Sequence, residues 1–383
     1  MEKLLPDICG IQYGFAFDSS KFSDDEGIPL IRIRDVVRGY SETYTTEQCG
    51  EEYVVRDGDM LIGMDGEFNI AHWNGGMAYL NQRVCRLIPT DEVDALYLFY
   101  FMPKALKMIE EKTPFVTVKH LSAKELNKIV VPLPALDIQK QIAQSLKKVD
   151  DIIYLRKQQL AKLDELVKAR FVELFGDPID IPKGLPVKTL KELSTLITNG
   201  NTPKGGSENY VDKGILFLRS QNVWRNRIEL DDVTYIDEAT HHSLKKSSLK
   251  HKDILITKTG RINTENSSLG RAALYLGDDD SANINGHVYL VRLDGSVVPE
   301  YVVTILTSEA YRKYIRKVCV GGIDKRQINL DQVEEFPIIL PPVELQKQFA
   351  TFVEQTDKSK LAIQQSLEQL ETLKKALMQK YFG

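Results

Sequence analysis

The sequence predicts an α+β protein in which two globular domains are separated by an antiparallel coiled coil of two long helices, built as a pseudo-twofold internal repeat. Three observations carry this. Residues 133–176 and 340–383 are two ungapped copies of one segment at a constant offset of 207 (340 − 133 and 383 − 176), with roughly a third of the aligned positions identical. Each copy places apolar residues at alternating steps of three and four, the spacing of a coiled-coil seam. The stretches before each copy hold short β-branched runs bounded by Gly, Asp and Asn together with longer helical stretches, a mixture that reads as α+β.

The first domain is assigned to residues 1–132. Pro29 to Ile33 and Met60 to Ile62 read as strands, and Leu96 to Glu111 as a helix. Its loops carry Arg32, Arg34 and Arg38, then Asn81 and Arg83, and near its end Thr117, Lys119 and His120. A guanidinium can take guanine O6 and N7 in a bidentate pair, and Asn or Gln can do the same for adenine N6 and N7, so these residue types suit the reading of base edges.

The first long helix is assigned to residues 133–176. It opens Leu133-Pro134-Ala135-Leu136-Asp137, with a proline whose missing N–H is harmless at a helix start and an aspartate at the positive end of the dipole. Ile142, Leu146, Val149, Ile153, Leu160, Leu163, Val167 and Leu174 form its seam, interrupted by Arg156 and Arg170. Gly176, which tolerates a left-handed conformation, and Pro178, which cannot extend a helix, predict the stop.

The second domain, residues 177–339, repeats the first more weakly. Gly27 to Val36 aligns with Gly214 to Val223; Asp59-Met60-Leu61-Ile62 aligns with Asp253-Ile254-Leu255-Ile256, followed by Gly66 and Gly260. Asn81-Gln82-Arg83-Val84 aligns with Asn285-Gly286-His287-Val288, and Thr117, Lys119 and His120 align with Asp324, Arg326 and Gln327. Ile215 to Leu218 and Ile254 to Thr257 read as strands, and Pro299 to Val318 as a helix. The candidate base or phosphate contacts are Arg219, Gln221, Asn222, Arg225 and Arg227 around Trp224, then Lys258, Arg261 and Asn263, Asn285 and His287, and Lys325 and Arg326. Lys245, Lys246, Lys250, His251 and Lys252 are suited to gripping phosphates.

The second long helix, residues 340–383, opens Leu340-Pro341-Pro342-Val343-Glu344. Phe349, Val353, Ile363, Leu367, Leu370, Leu377 and Tyr381 form its seam, with Thr356, Lys360 and Lys374 as interruptions; a lysine there must carry its charged head to water. The second domain must touch the end of the first helix and the start of the second, so paired seams are expected to run antiparallel. A helix of about 40 residues is roughly 60 Å long, enough to act as a spacer between domains.

With 383 residues and 43% hydrophobic content, two or three packed domains are expected rather than disorder. Cys9, Cys49, Cys85 and Cys319 are widely spread without a C-x-x-C, which suggests neither a zinc cluster nor a disulfide framework and points to the cytoplasm. Met1-Glu2-Lys3 lacks the apolar core of a signal peptide, and the longest apolar stretch, Ala95 to Met102, is too short for a membrane span. A net charge of −4 argues against a protein that merely coats nucleic acid, since non-specific binding is largely phosphate electrostatics. Basic clusters confined to the domains fit localised contacts instead.

Through its two Leu-Pro-x-x-[Asp/Glu]-x-Gln-Lys-Gln-x-Ala openings, the Phe175-Gly176-Asp177-Pro178 exit and the two-domain plan, the chain resembles the specificity subunit of type I restriction-modification systems over nearly its whole length. The resemblance implies two target recognition domains, each reading one half of an interrupted double-stranded DNA site, with the coiled coil setting their separation. It also implies partners: two methyltransferase subunits that use S-adenosylmethionine to methylate adenine, and two restriction subunits that use ATP and Mg²⁺.

No catalytic residue of its own is expected for the chain. It has no G-x-x-x-x-G-K-[ST] phosphate loop, no G-x-G-x-x-G loop and no Asn-Pro-Pro-aromatic segment. His241-His242 lacks further ligands at metal-binding spacing, and Asp278-Asp279-Asp280 reads as a solvated turn. The leading expectation is a non-catalytic DNA-reading subunit. The alternatives are a coiled-coil scaffold that binds proteins without DNA, and a methyltransferase or nuclease with an unfamiliar site.

Overall fold

The computed structural model describes residues 1–112, 119–180, 184–203, 205–264 and 266–383. Thr117 and residues 181–183 lie outside the described residues. The chain forms two compact units, unit 1 from residues 1–158 with 364–383, and unit 2 from residues 159–363.

Unit 1 is organised by an antiparallel sheet in the order Cys9–Tyr13, Val84–Pro89, Met60–Gly63, Asn69–His72. Side chains alternate across a strand, and here both faces are covered. Met60 and Ile62 pack with Tyr97, Leu98 and Met102 of the Ala95–Lys112 helix, while Leu61 and Val84 pack with Ile31, Trp73 and Leu80 on the opposite face. That opposite layer is a five-stranded sheet in the order Phe22–Ser23, Tyr44–Thr45, Ile28–Ile31, Ala78–Leu80, Val54–Val55, whose Ile28–Ile31 and Ala78–Leu80 strands are parallel.

Unit 2 repeats the plan. Its antiparallel sheet runs Ser194–Asn199, Val288–Leu293, Ile254–Thr257, Ala272–Leu274, with Ile254 and Ile256 facing the helical layer and Leu255 the other core. The second sheet runs Tyr210–Val211, Thr234–Ile236, Ile215–Leu218, Ala282–Ile284, again with the last two parallel. Unit 2 adds a hairpin, Val223–Trp224 with Arg227–Ile228, and a three-stranded sheet of Thr259–Arg261, Lys325–Gln327 and Val320–Gly321.

Two expectations are corrected. The strand expected over Pro29 to Ile33 ends at Ile31, and Ile33–Arg38 is a short helix: the Asp35 carboxylate accepts the Arg32 N–H at 2.9 Å and closes a helical turn there. The helix expected over Pro299 to Val318 is two, Pro299–Thr307 and Glu309–Val318. Ser308 is extended and its hydroxyl accepts the Tyr311 N–H at 3.2 Å, capping the second.

The long helices span Leu136–Phe175 and Val343–Phe382, 40 residues each. Gly176 at φ 82° donates its N–H to the Val172 carbonyl and ends the first, as its residue type predicts. In unit 1, Lys374 pairs with Asp150 at 2.6 Å and Glu371 with Lys157 at 3.5 Å, so one helix descends as the other rises. Unit 2 has the same sense: Lys360 meets Asp164 at 2.7 Å, and Phe349 meets Phe171 and Phe175. The pairing is antiparallel within each unit.

Every expected seam residue is buried or half-buried. Leu146, Val149 and Ile153 are buried and Ile142, Leu367, Leu370, Leu377 and Tyr381 half-buried in unit 1; Phe349 and Val353 are buried and Leu160, Leu163, Val167, Leu174 and Ile363 half-buried in unit 2. Two of the polar interruptions in unit 2 are satisfied. Buried Thr356 donates to the Phe352 carbonyl, and Lys360, only 19% exposed, is held by Asp164 and Asp357 instead of reaching freely to water.

The duplicated motif also explains its own polar residues. Gln139 and Gln346, each 1% exposed, occupy the same place in the two copies. Gln139 accepts the Asp94 N–H and donates to the Pro134 carbonyl, both at 2.9 Å; Gln346 accepts the Val298 N–H at 3.0 Å and donates to the Pro341 carbonyl at 2.8 Å. Each glutamine thereby ties the entry of a long helix to the start of the domain helix beneath it. The closing phenylalanines are equally matched. Phe382 lies 5.3 Å from the Tyr97 ring in unit 1, and Phe175 lies 4.9 Å from Tyr301 in unit 2. Among the described residues no helix is long and apolar enough to cross a membrane.

Candidate nucleic-acid interface

Three chain segments meet in each unit beyond the end of the central strand. In unit 1 the Met64 N–H donates to the Arg83 carbonyl at 3.0 Å, the Leu121 N–H to the Met64 carbonyl at 2.7 Å, and Asp65 bridges His120. In unit 2 the Lys258 N–H donates to the His287 carbonyl at 2.8 Å, the Ile328 N–H to the Lys258 carbonyl at 2.9 Å, and Thr259 pairs with Gln327. The backbone connections correspond one for one, so Asp65, Arg83 and His120 stand where Thr259, His287 and Gln327 stand. The two aligned glycines serve different needs: Gly66 has φ 77°, whereas a Cβ on Gly260 would come 2.3 Å from the Leu269 nitrogen.

The unit 1 trio forms a charged cluster. His120 Nδ1 lies 2.5 Å from Asp65 Oδ1, Arg83 Nε 3.6 Å from Asp65 Oδ2, and an Arg83 terminal nitrogen 3.4 Å from the His120 ring. Arg83 is therefore held by neighbours while half of its side chain remains exposed. Lys119 is turned inward, donating to the Glu110 carbonyl at 2.7 Å.

The short helix Ile33–Arg38 stands beside this cluster, with Ile33 against Gly63. Arg32, Arg34 and Arg38 are exposed on it. Arg34 reaches Thr43, and Arg38 pairs with Glu42 at 2.7 Å and lies over Tyr40.

In unit 2 the corresponding segment is the hairpin. Arg219 donates to Asp232 Oδ1 at 3.0 Å, and Gln221 also donates to Asp232. Arg227 grips Glu229 and lies 5.4 Å from the Trp224 ring centre, and Arg225 is exposed at the turn. Lys258 is half-buried over Tyr289; Arg261 is exposed and pairs with Asp324 at 3.3 Å; Lys325 and His287 are exposed, as is Asn263. Arg326 is directed inward to the Gly322 and Cys319 carbonyls. Of the proposed phosphate grips, Lys245, Lys246, Lys250, His251 and Lys252 are described, and Lys252 pairs with Glu300 at 2.7 Å.

The structure removes Asn222 from the base-reading set. It is 2% exposed; its carbonyl accepts the Arg219 N–H at 2.9 Å and its amide donates to the Glu229 and Asp232 carbonyls. Asp35, aligned with it, accepts the Arg32 N–H in the same way, so this position shapes the loop in both units. Asn81 and Asn285 likewise direct their side-chain oxygens to local N–H groups, of Gln82 at 2.7 Å and His287 at 3.0 Å.

Sequence reasoning missed Asp65, which holds Arg83 and His120, and Arg271. The Arg271 guanidinium lies 3.8 Å from the Trp224 ring centre and donates to the Ser267 and Asn266 carbonyls. An arginine at the head of an apolar strand, Ala272–Leu274, was the available signal.

Burial pushes the Cys9 thiol up to about 11 and the Cys85 thiol up to about 12, which disfavours their thiolates. His241 is buried against Asn283, with Nδ1 2.5 Å from the amide oxygen, and among the described residues no His, Cys, Asp and Glu group has metal-site geometry.

The family model for the type I restriction modification DNA specificity domain matches residues 1–165 and 182–372. The EcoBI specificity subunit of Escherichia coli is 27% identical over 98% of this chain and 84% of its own length. The MjaVIII specificity subunit of Methanocaldococcus jannaschii is 23% identical over 91% and 87%. A crystal structure of a type I restriction-modification S subunit from M. genitalium superposes with a TM-score of 0.62 at 13% identity, covering 100% of this chain and 96% of that one. A second structure, from work on assembly and conformational transition of the type I system, gives 0.58 at 16% identity and covers 100% and 97%.

Proposed function

The chain belongs to the type I restriction modification DNA specificity family, and from that premise we propose that each unit reads one half of an interrupted duplex DNA sequence. The observation that carries this reading is the matched pair of loop clusters, Asp65, Arg83 and His120 against Thr259, His287 and Gln327, on a common backbone frame. A repeated frame with unlike side chains is what two readers of unlike half-sites require, because phosphate contacts position a protein while base-edge donors and acceptors specify the sequence. The chain is the non-catalytic, sequence-reading component; methyl transfer with S-adenosylmethionine and ATP- and Mg²⁺-dependent cleavage belong to methyltransferase and restriction partners in the cytoplasm.

The long helices carry the second part of the reading: they set the gap between half-sites and dock two methyltransferase subunits. Their outward faces support docking. Tyr154 and Leu361 are 62% and 57% exposed, and Leu166 and Leu373 are 49% and 47% exposed, each pair at the 207-residue offset (361 − 154 and 373 − 166). Matched apolar positions on both copies suit a partner that binds twice. Sequencing of DNA selected by the purified complex tests the whole reading. Two unlike half-sites with a fixed gap are expected, and inserting one heptad in each helix should change that gap; a continuous site, or an unaltered gap, would refute it.

A further inference from the structure

The most exposed large apolar side chain among the described residues is Ile323, at 91%. It lies in the turn that joins Val320–Gly321 to Lys325–Gln327 in the three-stranded sheet of unit 2. A single apolar side chain on a surface is ordinary, but this one sits on braced backbone. On one side of it Arg326 donates to the Gly322 carbonyl at 3.1 Å, and on the other the Ile262 N–H donates to the Asp324 carbonyl at 3.0 Å. The inward turn of Arg326 thus holds the tip in shape. The same ladder carries two members of the loop cluster. Thr259 pairs with Gln327, Gly260 with Arg326 and Arg261 with Lys325, so the last pair stands about 7 Å from the first, next to the turn that holds Ile323. Arg261 and Lys325 are exposed there, and Arg261 meets the Asp324 carboxylate at 3.3 Å.

We propose that Ile323 is a wedge that enters the base stack of the DNA that unit 2 reads, parting one step and kinking the duplex there. A side chain open on every side is fully covered only by a partner that closes around it. Two parted base pairs do so, whereas a thymine methyl would cover one edge. Continuity with Thr259 and Gln327 favours DNA over a protein pocket as the occupant. A braced tip suits this use, because unstacking must be driven by a group that does not fold back. Pyrimidine–purine steps part most readily, so the step entered is TA or CA/TG, within or beside the unit 2 half-site. The wedge therefore adds the deformability of the duplex to base-edge contact as a source of selectivity.

The proposal rests on the DNA-reading function, and the test separates the two. The full chain with its methyltransferase partner is bound to the selected duplex. Bending is read by energy transfer between end labels, and stacking by 2-aminopurine placed at each step around the unit 2 half-site. Ile323→Ala leaves the fold intact, because the side chain is exposed. It should reduce the bend, abolish the brightening at one pyrimidine–purine step other than that of the methylated adenine, and weaken binding about 10-fold. A mismatch at that step should tighten binding of the unmodified complex and not of the variant, since a mismatched pair costs less to part. Unchanged bend and stacking in Ile323→Ala overturn the wedge while DNA reading stands. Loss of the methyltransferase partner from the variant also overturns it, by making the tip a protein contact. So does an equal loss of affinity when one thymine is replaced by deoxyuridine with no step unstacked, which would make the tip a methyl contact. Absence of sequence-selective binding by the unmodified complex would remove the underlying reading itself.

Discussion

Unit 1 and unit 2 hang the same central four-stranded sheet and the same helix entries on sequences that have otherwise drifted apart. They differ where backbone hydrogen bonds leave side chains free. Unit 1 presents an arginine braced by a carboxylate and an imidazole; unit 2 presents a histidine, a threonine and an amide on the matching frame, and adds a hairpin. The lesson is one of division of labour. Positions that satisfy backbone or fill cores are held in register by the cost of disturbing them, while solvent-facing positions on the same loops are free to change what they recognise.

The strongest way to break the comparison is at the shared aromatic anchors. Phe175→Ala and Phe382→Ala should each destabilise the protein by about 3–5 kcal/mol, the range for emptying a buried phenylalanine site. Phe175 is 0% and Phe382 8% exposed, so the first should cost more; denaturant melts that show neither loss would refute their equivalence as anchors.

A sharper comparison exchanges the loop chemistry. Installing the unit 2 residues in unit 1, by Asp65→Thr, Arg83→His and His120→Gln together, should alter the preferred sequence of one half-site only, with about 1–3 kcal/mol of discrimination lost per bidentate base contact. Selection that reveals change in both halves would point to misfolding, and change in neither would remove these residues from the reading surface.

The smallest effect concerns the lysine seam of unit 2. Burial works against the Lys360 charge, but the Asp164 hydrogen bond and the Asp164 and Asp357 charges outweigh it, so its pKa is raised from 10.5. Its contribution is then fully present below the unfolded value and lost as the pH rises through the higher folded one. Lys360→Met should change stability by under about 1 kcal/mol at neutral pH, and should flatten the fall in melting temperature above pH 10.5. An unaltered alkaline profile would show that the pair contributes nothing.

Much of this molecule was legible in its sequence. The 207-residue repeat, the glycine stop and the heptad steps located two helices whose seams the structure buries position by position. The alignment of Asp59 to Ile62 with Asp253 to Ile256 located the central strands. Local chemistry was harder to read. Residue type alone marked Asn222 as a base reader, although its alignment with Asp35, three residues beyond an arginine in both copies, already had the spacing of a turn that bonds to itself. Nothing in the linear spacing joined Arg271 to Trp224 or Asp65 to His120, because those contacts depend on loops from different strands arriving together.

The sequence by itself determined the duplicated architecture, since apolar periodicity and helix-terminating residues act through local geometry and burial, which are written along the chain. Only the tertiary structure decided which polar side chains stay available. A hydrogen-bonding group is committed or free according to what approaches it in space, and that approach brought Asn222 inside, braced Arg83, and left Arg271 desolvated beside an indole.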